Sequence, residues 1–337
     1  MPLFLEVPVK SLAPEYQGPA LQYAQSAFDL AKLRNASISP SLRDKLKNHC
    51  SALKLNSQYI EELNISDYVA KVNGICIANE HHATEEQNQL WIFAATHAIL
   101  LIEFDDYFDT PCNTPDNVSR LSMEMRSVLR ALSRHGLSGL QGGLDDWPTG
   151  VPCKEAYLWL LKESECLRKG AAELIHYMYI DYCFGVEMEI TEWSPDMHRC
   201  DTSAWNLDRC NEVRKRSIGV VSAAIAGPLY VANNWMKKEH ITNNIDQVYN
   251  ASIIVALAND ILGLKRDGQE RECMAIGLKT AKIASASEII QHHNEKVKCL
   301  NKCILDLDGD TRHFMEEIEV TTVGLFLWHC NAKRYDE

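Results

Sequence analysis

The chain has 337 residues, of which 46% are hydrophobic and 24% charged, a composition typical of a folded globular protein rather than a disordered or fibrous one. With 34 Lys and Arg residues against 46 Asp and Glu residues, its formal charge is -12. Sequence-independent nucleic-acid binding needs a basic face, so no nucleic-acid partner is expected and any phosphate site must be local.

The 12 cysteines are predicted to be reduced thiols of a cytoplasmic protein, because residues 1–8 show no basic segment followed by an apolar one. No two cysteines have CxxC spacing, so no structural zinc site is expected. The longest apolar runs, 91–104 and 219–232, are shorter than the roughly 20 residues needed to cross a bilayer. The chain is therefore not expected to span a membrane.

Apolar residues recur at helical spacing after an N-terminal segment, 1–40, that contains several prolines and is predicted to be partly extended. The predicted helical runs are 41–55, 61–78, 91–104, 154–185, 207–231, 245–265, 281–305 and 312–332. A glycine-rich stretch, 136–152, predicts an interhelical loop, and no alternating strand pattern competes with the helices. We expect an all-α fold with one domain over residues 1–337, as a monomer or homodimer.

The first chemical signal is an acidic cluster after the apolar run 91–104. Asp105 and Asp109 are four residues apart, so on a helix they share one face, while Asp106 points to the side. Carboxylates stacked in this way suit Mg²⁺, which takes oxygen ligands and keeps some of its coordination for substrate phosphate. The alternative is a solvated helix end.

The second signal follows the apolar run 251–258. Asn259, Gly263 and Asp267 are spaced four residues apart, so they line one stripe of a helix. An amide oxygen and a carboxylate on that stripe could hold another magnesium ion, with a water above Gly263. The alternative is a polar helix end before a turn at Asp267 and Gly268.

The third signal is the pair Arg334 and Tyr335 close to the end of the chain, six residues after Trp328. An arginine offers forked donors to diphosphate oxygens and stays charged at any working pH. Such a pair alone indicates no function, and it becomes informative because it follows the other two motifs in the chain.

Together these three ordered motifs, over about residues 91–335, resemble those of microbial-type (fungal and bacterial) class I terpene synthases. That family carries a DDxxD motif, an NDxxSxxxE-type motif and a terminal arginine-tyrosine pair, in that order. Two departures are Gly263 in place of serine or threonine and Asp267 in place of glutamate. The resemblance implies an antiparallel helical bundle around a central apolar cavity and three Mg²⁺ ions.

The resemblance also implies residue roles. Asp105 and Asp109 would hold two magnesium ions, and Asn259 and Asp267, with Gly263 at the middle position, would hold the third. The residues expected to contact the diphosphate are Arg214, Arg266, Arg334 and Tyr335. Arg214 lies 45 residues before Asn259 and is the expected diphosphate sensor, with Arg216 as the alternative.

Two further positions belong to the expected substrate site. The family's helix break would fall near Gly219, whose carbonyl can approach a cationic substrate closely because glycine has no side chain. Trp328 is the expected aromatic wall of the cavity, where a ring face stabilises positive charge.

The implied reaction is ionisation and cyclisation of a prenyl diphosphate to a cyclic terpene hydrocarbon or alcohol, with diphosphate released. The chain size resembles that of sesquiterpene synthases, which favours farnesyl diphosphate as substrate. The alternatives are a chain-elongating prenyl diphosphate synthase, which would need a second DDxxD motif, and a non-catalytic helical relative that binds prenyl diphosphates.

Overall fold

The computed structural model describes residues 3–7, 20–34, 38–76, 83–108, 115–139, 144, 146–192, 206–221, 227–269 and 284–331. For 115, 135–139, 192 and 263–269 it describes the backbone alone. Two strands, β1 (Phe4–Val7) and β2 (Leu21–Ala24), precede the helices. The helices of the described residues are α1 (Gln25–Leu33), α2 (Pro40–Ala52), α3 (Tyr59–Glu62), α4 (Ile65–Asn73), α5 (Glu85–Phe108), α6 (Pro115–Gly139), α7 (Lys154–Leu167), α8 (Ala171–Glu192), α9 (Leu207–Ser217), α10 (Pro228–Ala232), α11 (Lys238–Thr242), α12 (Ile245–Gln269), α13 (Ala286–Leu305) and α14 (Gly309–Asn331). The all-α prediction is confirmed.

Six of these helices form a closed ring. Going round it, α4 contacts α5, α5 contacts α8, α8 contacts α9, α9 contacts α12, α12 contacts α14, and α14 returns to α4. The other long helices pack against members of the ring: α6 and α7 lie against α8, and α13 lies against α12 and α14. The ring provides the frame on which the predicted motifs are arranged.

Helix α5 is apolar nearly all round, as expected for a helix covered on every side. Its outward face contacts the surrounding elements: Glu103 accepts from the backbone N–H of Asn56 before α3, and the Leu100 carbonyl accepts from the thiol of Cys153 before α7. The stripe opposite Glu103, called the inward stripe below, faces away from that contact. That stripe consists of Trp91, Ala94, Ala98 and Leu101, all buried, and ends at Asp105.

Several predicted boundaries need correction. The run 154–185 is two helices, because Gly170 has a left-handed φ of 82° between α7 and α8. The run 61–78 is likewise divided, by Asn64 with φ 45°. The predicted loop at 136–152 begins later, since α6 continues to Gly139.

The N-terminal segment contains a β-hairpin that the sequence patterns did not predict. Strands β1 and β2 pair antiparallel, and β2 is fixed to α13 by Asn294, which accepts from the Gln22 N–H at 2.8 Å and donates to the Ala20 carbonyl at 2.9 Å. Tyr23 adds edge-on packing against His293. The extended character predicted for 1–40 therefore holds at the strands, whereas Gln25–Leu33 is helical.

Candidate active site

The acidic end of α5 presents its two described aspartates to different neighbours. The Tyr182 hydroxyl of α8 lies 3.1 Å from Asp105 Oδ1, to which it donates, and the Tyr59 hydroxyl of α3 donates to Asp106 Oδ2 at 2.6 Å. The divergence follows from the 100° step between successive helical residues. Asp105 lies on the inward stripe and Asp106 beside it.

The Tyr182 hydroxyl acts as a donor to Asp105. Burial raises the pKa of Tyr182 well above its usual range, and the neighbouring Asp105 charge raises it further. The phenol therefore keeps its proton at any physiological pH. A neutral donor of this kind orients a carboxylate without neutralising it.

Helix α9 brings Arg214 against two carboxylates from different helices. Arg214 Nη2 donates to Asp260 Oδ1 of α12 at 2.6 Å, and Arg214 Nη1 donates to Glu189 Oε1 of α8 at 3.2 Å. The Ser217 hydroxyl also donates to Glu189. The side chains of Arg214 and Asp260 are buried, with exposed fractions of 8% and 4%, and that of Glu189 is largely buried, with an exposed fraction of 11%.

Burial and ion pairing shift the pKa values of the charged groups in this cluster in opposite directions. Burial lowers the pKa of Arg214, but the charges of Asp260 and Glu189 more than offset it, so the pKa lies above its usual value. Burial raises the pKa of Glu189, although Arg214 and Ser217 act against the increase. Arg214 therefore stays charged in the interior, with Asp260 as its closest counter-ion.

The second motif lies within one uninterrupted helix. Because α12 runs from Ile245 to Gln269, Asn259, Gly263 and Asp267 share a single helical backbone, and no turn occurs at Asp267 and Gly268. Asn259 Oδ1 is buried and accepts no hydrogen bond from the described residues. A buried amide oxygen without a donor is costly unless something else satisfies it, and this acceptor suits a hard cation.

The helix break expected near Gly219 is present. Helix α9 ends at Ser217, and Gly219 adopts φ 70°, a left-handed conformation that glycine tolerates best. Gly219 is buried, so its backbone lies inside the molecule. The break is thus one turn from Arg214.

The alternative sensor, Arg216, has a different environment. Its Nε donates to Asp181 Oδ1 at 3.2 Å, and its guanidinium lies 5.5 Å from the centre of the Tyr249 ring. Tyr249 in turn donates to Asp181 Oδ2 at 2.6 Å. Arg216 is partly exposed and lies near the start of α12, whereas Arg214 lies beside Asp260.

Trp328 is buried on the face of α14 that packs on α4. Thr321, Gly324 and Trp328 follow helical spacing on this face: the Thr321 hydroxyl donates to the Val72 carbonyl, and Trp328 Nε1 donates to the Leu63 carbonyl at 2.5 Å. The Trp328 ring meets Tyr68 edge-on, with centroids 5.1 Å apart. These contacts give Trp328 a packing role between helices, while its expected role as a cavity wall stays a prediction.

Several predicted site residues lie outside the described parts of the structure. Asp109, Arg334 and Tyr335 are outside the described residues, and for Gly263, Arg266 and Asp267 only the helical backbone of α12 is described. Within the described ranges, no group of three or more His, Cys, Asp or Glu side chains is arranged to hold a metal ion. The carboxylate and amide side chains of the two motifs that are described are those of Asp105 and Asp106 on α5 and of Asn259 and Asp260 on α12.

Sequence reasoning gave no role at these motifs to three residues of this region: Tyr59, Tyr182 and Glu189. Each lies on a helix, where an aromatic or acidic residue is unremarkable, so only the fold reveals the contact. Asp260 was part of the second motif but had no assigned role. Asp260 follows Asn259 and so points about 100° away from it around the helix, which could have indicated that Asp260 faces a neighbouring helix.

Comparison with known proteins supports the fold. No protein-family model and no curated protein matches the chain. Among solved structures, an SVS_A2 protein variant from ancestral sequence reconstruction matches with a TM-score of 0.61 at 12% identity, over 88% of this chain and 86% of that one. The linalool/nerolidol synthase from Streptomyces clavuligerus, in complex with 2-fluorogeranyl diphosphate, matches with a TM-score of 0.52 at 13% identity, over 88% of this chain and 97% of that one.

Because the sequence identities are only 12% and 13%, these matches establish the fold alone. The chain has the all-helical fold of terpene synthases. The fold expected from the three motifs is thus confirmed. In the part of the chain that the structure describes, no helix is long and apolar enough to cross a membrane.

Proposed function

We propose that the protein is a magnesium-dependent class I terpene synthase that ionises a prenyl diphosphate and cyclises the resulting carbocation. The observation that carries the proposal is the Arg214–Asp260 ion pair, because it brings the expected diphosphate sensor into direct contact with the second motif, 46 residues further along the chain. A charged arginine beside the second metal-binding motif suits a site for diphosphate. The terpene synthase fold supports the same reaction class.

The residues present fit magnesium. The donor set consists of carboxylate and amide oxygens, and the buried Asn259 Oδ1 is an acceptor without a donor in the described residues. Asp105 and Asp109 would hold two ions, and Asn259 and Asp267 the third, with a water above Gly263. When bound, the ions would neutralise negative charge on the departing diphosphate.

The chain's own groups would complete the leaving-group site. Arg214, Arg266, Arg334 and Tyr335 would donate to the diphosphate, and their donors would stabilise the charge that it gains as the carbon–oxygen bond breaks. The carbonyl of Gly219 would face the cation that forms.

The hydrocarbon would lie along the inward stripe of α5 below Asp105. This stripe is apolar and buried, so it would exclude water from a carbocation that water would otherwise capture. Its small members, Ala94 and Ala98, leave room for substrate. Trp328 is proposed as an aromatic wall of this cavity.

Farnesyl diphosphate is the proposed substrate, on the basis of chain size. A solved structure of the same fold, the linalool/nerolidol synthase, was crystallised with a fluorinated geranyl diphosphate, which supports a prenyl diphosphate as ligand. The proposal further includes a cytoplasmic location and a monomer or homodimer.

The test is incubation of the purified protein with Mg²⁺ and geranyl, farnesyl or geranylgeranyl diphosphate, with diphosphate release and volatile products measured. We expect cyclic C15 products that disappear when EDTA is added. A longer prenyl diphosphate, formed only when isopentenyl diphosphate is present, would instead identify a chain-elongating synthase. Binding without turnover of any of the three substrates would identify a non-catalytic relative.

A further inference from the structure

The short helix α10 packs against the ring. It follows α9 in the chain but contacts α5, which in the ring lies on the far side of α8. Its residues Leu229, Tyr230 and Val231 are buried. A five-residue helix has little stability of its own, so its position depends on the contacts that hold it.

The side chain of Arg168 holds the C-terminal end of α10. Arg168, the residue after α7, donates through Nη1 to the carbonyls of Tyr230 and Asn233, the latter at 2.7 Å, and through Nη2 to the carbonyl of Met236. Its guanidinium also lies over the Tyr230 ring, 3.8 Å from the centroid. The last carbonyls of a helix have no partners within it, and here one forked donor binds the Tyr230 carbonyl of α10 and the carbonyls of Asn233 and Met236 just beyond the helix.

The contacts of Arg168 with Tyr230, Asn233 and Met236, called the clamp below, lie at the opposite end of α5 from the aspartates. Helix α7 runs antiparallel to α5, since Gln89 donates to Glu163 near the start of α5 and Cys153 donates to the Leu100 carbonyl nearer its end. Arg168, beyond the C-terminus of α7, therefore lies near the start of α5. From Gln89 to Asp105 the helix rises by about 24 Å at 1.5 Å per residue.

We infer that Arg168 is a positioning residue that fixes α10 as the floor of the substrate cavity and so limits the length of prenyl chain that the enzyme folds. The inference rests on the proposed function, because it takes the diphosphate to be held at Asp105 and the hydrocarbon to extend along the inward stripe. A floor held by one guanidinium can shift when that guanidinium is lost. The distance from the metal end to the floor then increases.

The experiment compares the full-length wild type with Arg168→Met, which keeps side-chain length and removes the donors, and with Arg168→Lys. The matched control is Lys238→Met, because Lys238 is a nearby cation whose recorded partner is a surface carboxylate, Glu173, at 2.7 Å. For each protein, kcat/KM is measured with farnesyl and geranylgeranyl diphosphate, and the products are identified.

In Arg168→Met we expect the ratio of kcat/KM for the C20 substrate over the C15 substrate to rise about tenfold, the scale on which a pocket discriminates small changes in substrate size. The ratio for Arg168→Lys should lie between those of the wild type and Arg168→Met, since an ammonium donates hydrogen bonds but has no planar fork. The control should keep the wild-type ratio. An unchanged ratio and product profile in Arg168→Met would overturn the inference.

Hydrogen exchange of the backbone amides in 228–236, measured by mass spectrometry, tests the clamp without any turnover. Exchange there should speed up in Arg168→Met and not in Lys238→Met. Unchanged exchange in Arg168→Met would show that the guanidinium does not hold α10. If the wild type releases no diphosphate from any substrate, the proposed function and the chain-length role both fail, and exchange still decides whether the clamp exists.

Discussion

Arg214 and Asp260 form a buried ion pair, 2.6 Å between Nη2 and Oδ1, that links the end of α9 to the second motif on α12. The only hydrogen bonds that the described structure gives the Arg214 guanidinium are this one and the one to Glu189, and Nε has no partner in the described residues. The side chain is therefore oriented by two carboxylates, and its Nε is a donor nitrogen that no described group satisfies. This arrangement suits a sensor that is fixed before the anion arrives.

The first prediction concerns that orientation. Arg214→Lys keeps the charge but replaces the planar fork, whose two Nη atoms each reach a different carboxylate, with a single ammonium nitrogen, so turnover should fall at least about tenfold. Arg216→Lys is the matched control on the same helix and should lose less, because Arg216 pairs with a partly exposed carboxylate. Steady-state kinetics of both variants decide which of the two arginines is the sensor. If Arg216→Lys is the damaging change and Arg214→Lys is silent, the sensor is Arg216.

The second prediction compares the two described aspartates of α5. Asp105→Asn should lower turnover by orders of magnitude, because it replaces a charged ligand on the inward stripe with a neutral one of the same shape. Asp106→Asn should cost less, since an amide oxygen can still accept from the Tyr59 hydroxyl. Both variants should give wild-type circular dichroism. Equal losses at the two positions would contradict the helical phase described for this motif.

The third prediction concerns the contact between α8 and α9. A Cβ added at Gly185 would lie 2.6 Å from both the backbone N of Ser217 and Cβ of Arg216, so Gly185→Ala must push α9 away. We expect a loss of about 1–3 kcal/mol in the free energy of unfolding, as for other overpacked sites. Urea unfolding measures it. A variant as stable as the wild type would mean that the two helices separate without cost.

The fourth prediction is a pH dependence that comes from Glu319 on α14. Burial raises its pKa from 4.5 to about 7, with a hydrogen bond from Asn301 acting against the increase and Glu316 adding to it. Between these two values the folded protein binds more protons than the unfolded chain. The contribution of Glu319 to the free energy of unfolding therefore falls as pH rises from about 4.5 to 7, and stays lost above 7.

Glu319→Gln removes this titration and keeps an acceptor for Asn301. Relative to the wild type, the variant should gain stability between pH 5 and pH 8, by at most about 3 kcal/mol at 1.36 kcal/mol per pH unit. Urea unfolding at both pH values measures the difference. Glu316→Gln keeps the titrating group and removes only the nearby charge that adds to the increase in the Glu319 pKa, so it should reduce the pH dependence only in part. A stability difference between the wild type and Glu319→Gln that does not change with pH would contradict the assignment.

The sequence predicted the helical class and the long helices because their apolar periodicity is a local property. It could not predict where runs divide: the periodicity continues across 154–185, and only the left-handed φ of Gly170 separates α7 from α8. The hairpin was missed for a similar reason. Strands of four residues are too short for a clear alternation, and β2 is stabilised by Asn294, which is 272 residues from Gln22 in the chain.

The candidate site was predictable where chemistry lies in short motifs. The spacing of Asn259, Gly263 and Asp267 predicted one helical stripe, and the continuous helix α12 agrees. The residues that orient the motifs, Tyr182 and Glu189, come from another helix and have no local signature. Their assignment requires the packing of α8 between α5 and α9.

The last prediction concerns Gly263, where the second motif departs from the family pattern. If Asn259 and Asp267 bind a magnesium ion, the ligand missing at Gly263 is supplied by water, which is held less firmly than a hydroxyl fixed to the helix. Gly263→Ser should then lower the magnesium concentration needed for half-maximal activity. It should also slightly stabilise α12, because glycine in a helix interior costs about 0.5–1 kcal/mol relative to alanine and serine lies between them. Gly263→Ala is the matched control, since it gives the helix a Cβ without a ligand, and it should leave the magnesium requirement unchanged. A magnesium titration of all three proteins decides the matter: if folded Gly263→Ser needs more magnesium than the wild type, the site is adapted to glycine and the missing-ligand account is wrong.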